Sequence, residues 1–214
     1  MTYSNDRNVY VVDCETTGLN GVEAGDRVVE IGIARVDIVA RRVYPEYSKV
    51  VRTRIERDRE KAWVFQNTTL TVDDVRKSPY TCFDVFHDLH TYANQPVTAY
   101  NRAFDIDKFL SHSPYSFNPA DFPCLMELAA DYVGTRDHAG GSRWPKAQTA
   151  YNELCPDNPA NLVGGLEEHR ALSDAIMEGH ILLGMLKKDS ELQHVLQRRI
   201  RTINNLWDGV ICDY

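Results

Sequence analysis

The sequence predicts an α/β domain: a mixed central β-sheet that opens with an antiparallel three-stranded meander and carries helices on both faces. Two observations predict it. Three β-branched, apolar segments follow one another within the first 54 residues, joined by short loops. From Thr71 onward the apolar spacing switches to the helical period and is interrupted by one more short strand. No repeat, low-complexity tract or linker-length loop divides the 214 residues. One domain is expected over 1–214, with its core at about 8–186 and a C-terminal amphipathic helix and tail over 187–214.

The elements follow in order. Residues 8–12 (NVYVV) read as a buried strand, and the polar stretch 13–20 turns at Gly18. Residues 27–37 (RVVEIGIARVD) read as a second strand, and 44–54, which alternates loosely, as a third. Residues 80–93 set Phe83, Phe86, Leu89 and Tyr92 at helical spacing, with Phe83 and Phe86 read as core. A short strand at 96–100 precedes helices at 103–111, 125–133 and 144–154. The longest periodic segment, 169–186, builds its apolar stripe from Leu172, Ile176, Ile181 and Leu183. Residues 192–207 place apolar side chains at 192, 196, 200, 203 and 207, with Arg198, Arg199 and Arg201 off the stripe. That pattern is a packed amphipathic helix with a solvated basic face. Residues 54–61 and 137–142 read as loops, and the mixed-sign run 56–61 as solvated.

Charge and cysteine content narrow the function. Lys and Arg number 24 against 31 Asp and Glu, a net charge of −7. Such a chain is no general polyanion binder, so any nucleic acid must be met by a local patch or by metal ions. Five cysteines, at 14, 82, 124, 155 and 212, include no CxxC pair and read as reduced thiols. The first eight residues are polar, unlike a signal peptide, and no run of about 18 apolar residues exists. The cytoplasm is the expected location, and no membrane partner is expected.

Three short motifs carry chemistry. In 11–19 (VVDCETTGL), Asp13 and Glu15 stand two apart at the end of a strand, so a pleated backbone aims both to one side. In 99–107 (AYNRAFDID), Asp105 opens a helix, with Asp107 as its rival. In 167–176 (EEHRALSDAI), His169 and Asp174 lie five apart across a helix start. Each has an ordinary reading: a solvated strand end, a helix-dipole acid, a surface histidine. The combination is far more specific than its parts.

Together, D-x-E on the first strand, F-D near the middle and H-x4-D near the end resemble the DEDDh family of 3′–5′ exonucleases, DnaQ-like enzymes on an RNase H-like fold. The resemblance runs from Val9 to about Leu186 and matches Asp13, Glu15, Asp105, His169 and Asp174. It prefers Asp105 to Asp107, because the family acid directly follows a phenylalanine, here Phe104. Tyr100 stands where relatives usually carry histidine, and Cys124 where many carry aspartate. The resemblance also implies a terminal-nucleotide subsite at the Thr16 backbone and the Leu19 side chain, with Asn101 and Phe104 as pocket walls.

Hard carboxylate ligands suit Mg²⁺ or Mn²⁺ and not zinc. Two such ions about 4 Å apart can clamp a phosphodiester, one activating water and the other stabilising the leaving oxygen. Asp13 would bridge both ions, Glu15 and Asp174 would complete the first, and Asp105 would serve the second. Histidine's reference pKa of about 6.5 makes His169 the candidate general base. The ions also answer the charge problem, since they bring positive charge to the scissile phosphate. The expected activity is removal of nucleoside 5′-monophosphates from a free 3′ end of DNA, single-stranded or frayed. Trimming of RNA ends or short oligoribonucleotides is the second reading. A non-catalytic nucleic-acid-binding protein is the third, and the intact five-residue set argues against it. The chain contains no polymerase domain, so a proofreading role would need a polymerase or repair partner.

Overall fold

The computed structural model describes residues 6–133, 144–157 and 169–208, with side chains to 206. The loop expected at 137–142, Cys212, and the side chain at 207 lie outside the described residues. Strands β1 (Asn8–Thr16), β2 (Val28–Asp37) and β3 (Arg42–Val50) form the expected antiparallel meander. β4 (Val97–Thr98) joins β1 in parallel, giving the order β3-β2-β1-β4. A βαβ-type crossover through helices explains why this last pair is parallel. Before it come α1 (Trp63–Asn67), α2 (Val72–Lys77) and α3 (Cys82–His90). After it come the wide helix Ala103–Leu110, then α4 (Leu125–Ala130), α5 (Ala147–Leu154), α6 (Ala171–Lys188) and α7 (Ser190–Asp208). None of the described helices is long and apolar enough to cross a membrane.

The period of two along β1 sorts the core into two layers. Val9 and Val11, with Ala34 and Val36 of β2, join one apolar cluster with α4, α5, α6 and α7. Val12 and Cys14, with Ile31 and Ile33, join another with α3 and the wide helix. Both faces of β2 are therefore covered, which is why its run VVEIGIA is nearly all buried and does not alternate polar with apolar. By parity, Asp13 and Glu15 continue the Val9–Val11 face, the face on which α6 lies. That parity builds the site.

Gly32 sets how closely α6 approaches. A Cβ there would lie 2.2 Å from the Leu172 amide nitrogen and 2.3 Å from the Ala171 carbonyl carbon, so the first turn of α6 rests directly on β2. Gly32→Ala must lift that turn off the sheet. We expect a loss of about 2–4 kcal/mol, the upper range of core overpacking with a rigid backbone as the obstacle. Urea unfolding checks this, and a loss below 0.5 kcal/mol (a threshold of roughly the surface-substitution spread) would contradict it.

Several expectations are corrected. The first strand reaches Thr16, so Asp13 and Glu15 lie inside it and not beyond it. Phe83 is 67% exposed and rests on His87, while Val85 and Leu89 face the core. The reason is phase: α3 starts at a Thr81–Asp84 capping box, which sets Val85 and Leu89 inward. The segment 103–111 is wider than an α-helix, with the Ser111 amide donating to the Ile106 carbonyl five residues back. α6 begins at Ala171, because His169 has φ 55° and cannot continue a helix. Arg59 leaves the solvated run 56–61 to pair with buried Asp26 at 2.7 Å. Cys14, Cys82, Cys124 and Cys155 are free thiols. α7 packs Leu192, Leu196, Ile200 and Ile203 into the α6-side core, and Arg199 and Arg201 pair with Asp121 and Asp6.

Candidate active site

The sheet and α6 bring three acids together. Ligand oxygens of Asp13, Glu15 and Asp174 all lie within 4.8 Å of one another. Asp13 and Glu15 come from alternate positions of β1, and Asp174 from the first turn of α6, which Gly32 admits to the sheet. Asp105, on the wide helix, is only 3% exposed and accepts a hydrogen bond from the Cys14 amide at 3.1 Å. It borders β1 between the two strand acids. Asp107 points the other way and is exposed.

Crowding raises the proton affinity of these groups. Glu15 is pushed up to about 8, first by burial and then by the charges of Asp174 and Glu30. Asp105 is also pushed up to about 8 by burial, against the lowering effect of its bond from Cys14. Asp13 lies well above the usual carboxylate range, through burial and the charges of Asp105, Glu178 and Asp174. A crowded, buried carboxylate cluster fits a hard divalent cation, which would relieve both the desolvation and the repulsion.

A stability prediction follows. Native Glu15 and Asp105 keep their protons to about pH 8, whereas unfolded carboxyls ionise near 4.5 and 3.8. The folded protein then binds more protons than the unfolded chain through that window, so metal-free stability falls as pH rises. Divalent ions should reverse the loss. At pH 8, Mn²⁺ at about 100 times its Kd should raise Tm by about 5–10 °C, from roughly 2.7 kcal/mol of linkage. Thermal melts in EDTA and in Mn²⁺ check this; a Tm that metal leaves unchanged would contradict it.

Two buried groups missed in the sequence hold the cluster in place. Glu30 accepts from Arg170 Nε at 2.8 Å, Arg170 Nη2 at 2.6 Å and the Ala171 amide at 3.2 Å. This clamp anchors the first turn of α6 to β2, between His169 and Asp174. Its signal was a single carboxylate in the apolar run 28–34. Glu178, four residues after Asp174, is 4% exposed and accepts from the Tyr100 amide at 3.2 Å. Burial, with Asp105 and Asp174 nearby, pushes its pKa well above the ordinary range.

A cleft of about 420 Å³ adjoins the acids, lined by Glu15, Thr16, Leu19, Trp63 and Phe104 among others. Leu19 is 72% exposed and Trp63 56%, an apolar rim beside Glu15. Leu19 is set by its loop: Asp26 accepts from the Asn20 amide at 2.8 Å, and Lys108 Nζ donates to the Leu19 carbonyl at 3.1 Å. Thr16 Oγ1 donates to the Gly18 carbonyl at 2.8 Å. The His169 ring meets Trp63 edge to face, centroids 5.1 Å apart. Trp63 was not foreseen; a tryptophan beside a densely charged loop was its signal. Asn101 does not line this cleft. It borders a neighbouring groove with Arg102, Asp107, Asp121 and Trp144, because its carbonyl accepts from the Phe104 and Asp105 amides and turns the chain away. At the two positions that depart from the family pattern, the Tyr100 hydroxyl donates to the Pro145 carbonyl at 2.8 Å, and Cys124 Sγ lies 3.1 Å from the Tyr100 carbonyl.

Comparison with known proteins gives the family and the fold. Residues 10–182 match the family described as Exonuclease, RNase_T, and the chain belongs to that family. No curated protein sequence matches it. Its fold is similar to the nuclease domain of 3′hExo, a DEDDh family member, bound to rAMP: 16% identity, TM-score 0.56, over 89% of this chain and 96% of that one. It is similar to E. coli Exonuclease I in complex with a 5cy-dT13 oligonucleotide, at 13% identity and TM-score 0.60, over 88% of this chain and 42% of that one. It is also similar to cell-death related nuclease 4 (CRN-4), at 15% identity and TM-score 0.58, over 85% of this chain. The chain spans 64% of that nuclease and 61% of a full-length 3′-exonuclease. The fold is RNase H-like, as in these nuclease structures, and the family is the exonuclease family that residues 10–182 match.

Proposed function

We propose that the protein is a metal-dependent exonuclease that removes nucleoside 5′-monophosphates from the 3′ end of DNA, acting on single-stranded or frayed ends. The observation that carries this reading is the convergence of Asp13, Glu15 and Asp174 beside buried Asp105, with Glu15 also lining a cleft that has an apolar rim. Asp13, Glu15, Asp105 and Asp174 would hold two Mg²⁺ or Mn²⁺ ions. When bound, such ions supply positive charge to the scissile phosphate and acidify the attacking water. The chain's own residues do the rest. His169 takes the water proton from its place against the cleft wall. Leu19 and Phe104 pack on the terminal nucleotide, and the Thr16 backbone seats its sugar end. Asn101 acts by shaping the turn ahead of Asp105.

RNA is the second reading. It is supported by likeness to structures that hold rAMP in one case and a thymidine oligonucleotide in another, which span both sugars. Matched single- and double-stranded DNA and RNA oligonucleotides, each with Mg²⁺ and with Mn²⁺, separate the two. Faster hydrolysis of DNA supports the first reading, and hydrolysis of RNA alone would replace it. A polymerase or repair partner is part of the proposal, tested by co-purification with a tagged chain.

The choice of second-motif acid has its own test. Asp107 is exposed and Asp105 buried. Asp107→Asn should keep the rate within about threefold, as surface changes do, while Asp105→Asn should lose at least about 10²-fold. Steady-state rates on one labelled oligonucleotide check this. The reverse order would move the ligand role to Asp107.

A further inference from the structure

We propose that Glu178 is a positioning residue of this site: by accepting the Tyr100 amide it fixes the strand-end turn that carries Asn101 and Asp105 against the helix that carries Asp174. The proposal rests on reading the site as a metal-dependent nuclease centre. β4 ends at Thr98, so the Tyr100 amide lies beyond the sheet ladder and finds its partner in Glu178 Oε2, at 3.2 Å. The two residues are 78 apart in sequence, and the bond is buried. The Ala99 and Tyr100 carbonyls are separately taken by the Leu125 and Met126 amides, at 3.2 and 2.9 Å. The α4 amides serve carbonyls of this turn, and Glu178 serves one of its amides.

Both ends of this contact lead to ligands. On α6, Glu178 follows Asp174 by four residues, one turn along the same face. On the other side the Asn101 carbonyl, one residue past Tyr100, accepts from the Asp105 amide at 3.0 Å and starts the wide helix. The bond thus ties the wide-helix acid to the α6 acid without either end touching substrate. A carboxyl buried among other carboxyls is costly, and an apolar side chain would fill the same space more cheaply. The acceptor explains its presence.

The test uses Glu178→Gln, which keeps an acceptor, and Glu178→Met, which fills the volume without one. Circular dichroism verifies folding; should Glu178→Met fail to fold, Glu178→Asn, too short to reach, takes its place. Mn²⁺ binding is measured by calorimetry without substrate, and kcat and KM on an oligonucleotide. Glu178→Met should bind Mn²⁺ more weakly and lose at least about tenfold in kcat, as misplaced catalytic groups do, with KM within about threefold. Glu178→Gln should recover both to within about threefold of wild type. Wild-type affinity and kcat in Glu178→Met, or a Glu178→Gln as impaired as Glu178→Met, would overturn the proposal. Because Mn²⁺ binding is read without turnover, a protein inert on every nucleic acid would refute the nuclease reading and leave this comparison decisive on its own.

Discussion

Asp13→Asn should lose at least about 10³-fold in kcat while remaining folded. Asp13 sits where β1, the wide helix and α6 meet, and it faces Asp105, Glu178 and Asp174 electrostatically. An amide there is nearly isosteric but halves the ligand's oxygens and removes its charge. A metal ion contributes several kcal/mol of transition-state stabilisation, and about 4 kcal/mol corresponds to roughly 10³ in rate. The same change should make the metal-free protein more stable at pH 8, since it removes a carboxyl whose ionisation is opposed by burial and by its neighbours. Activity and stability then move in opposite directions, which a merely misfolded variant cannot do. Single-turnover rates and melts in EDTA read both. An Asp13→Asn protein with near wild-type rate would remove the proposed metal-ligand role of Asp13.

His169→Ala should lose about 10² to 10⁴ in rate, the usual worth of a general base, and should still bind Mn²⁺ because the four acids remain. Removal of a base should also change how the rate depends on pH. Rate–pH profiles of both proteins, with Mn²⁺ calorimetry beside them, make the comparison. An unchanged rate and profile in His169→Ala would leave His169 as a side chain resting on Trp63.

Much of this site was legible in the chain because its acids sit where the pattern changes. Asp13 and Glu15 interrupt an apolar strand, and the period of two gives their common side without knowledge of the partner helix. Asp105 follows a phenylalanine at a helix start, and Asp174 falls one turn past His169. The meander was legible for the same reason: β-branched runs with short connections leave few other pairings.

What was not legible depended on phase or on long-range contact. Phe83 and Phe86 match helical spacing, but only the Thr81 cap fixes which side of α3 faces inward. Glu30 and Glu178 look like stray charges in apolar runs. Their partners, Arg170 and the Tyr100 amide, lie 140 and 78 residues away. Arg59 hides within a charged loop because Asp26, 33 positions earlier, becomes fully buried only when the strands pair. Asn101 follows its motif, yet its backbone carries the geometry while its side chain turns to the neighbouring groove. Trp63 belongs to the cleft because Val64 of α1 packs in one cluster with Leu70, Val75 of α2 and Val29 of β2.

The most direct measurement is a time course on one single-stranded DNA oligonucleotide labelled at either end, with Mn²⁺ and with EDTA. The predicted result with Mn²⁺ is immediate release of the 3′ label as a nucleoside 5′-monophosphate, while the 5′-labelled strand shortens one nucleotide at a time. EDTA should stop both without unfolding the protein. Release of the 5′ label first, cleavage at internal positions, or hydrolysis that persists in EDTA would contradict a carboxylate-held metal site acting on a 3′ end.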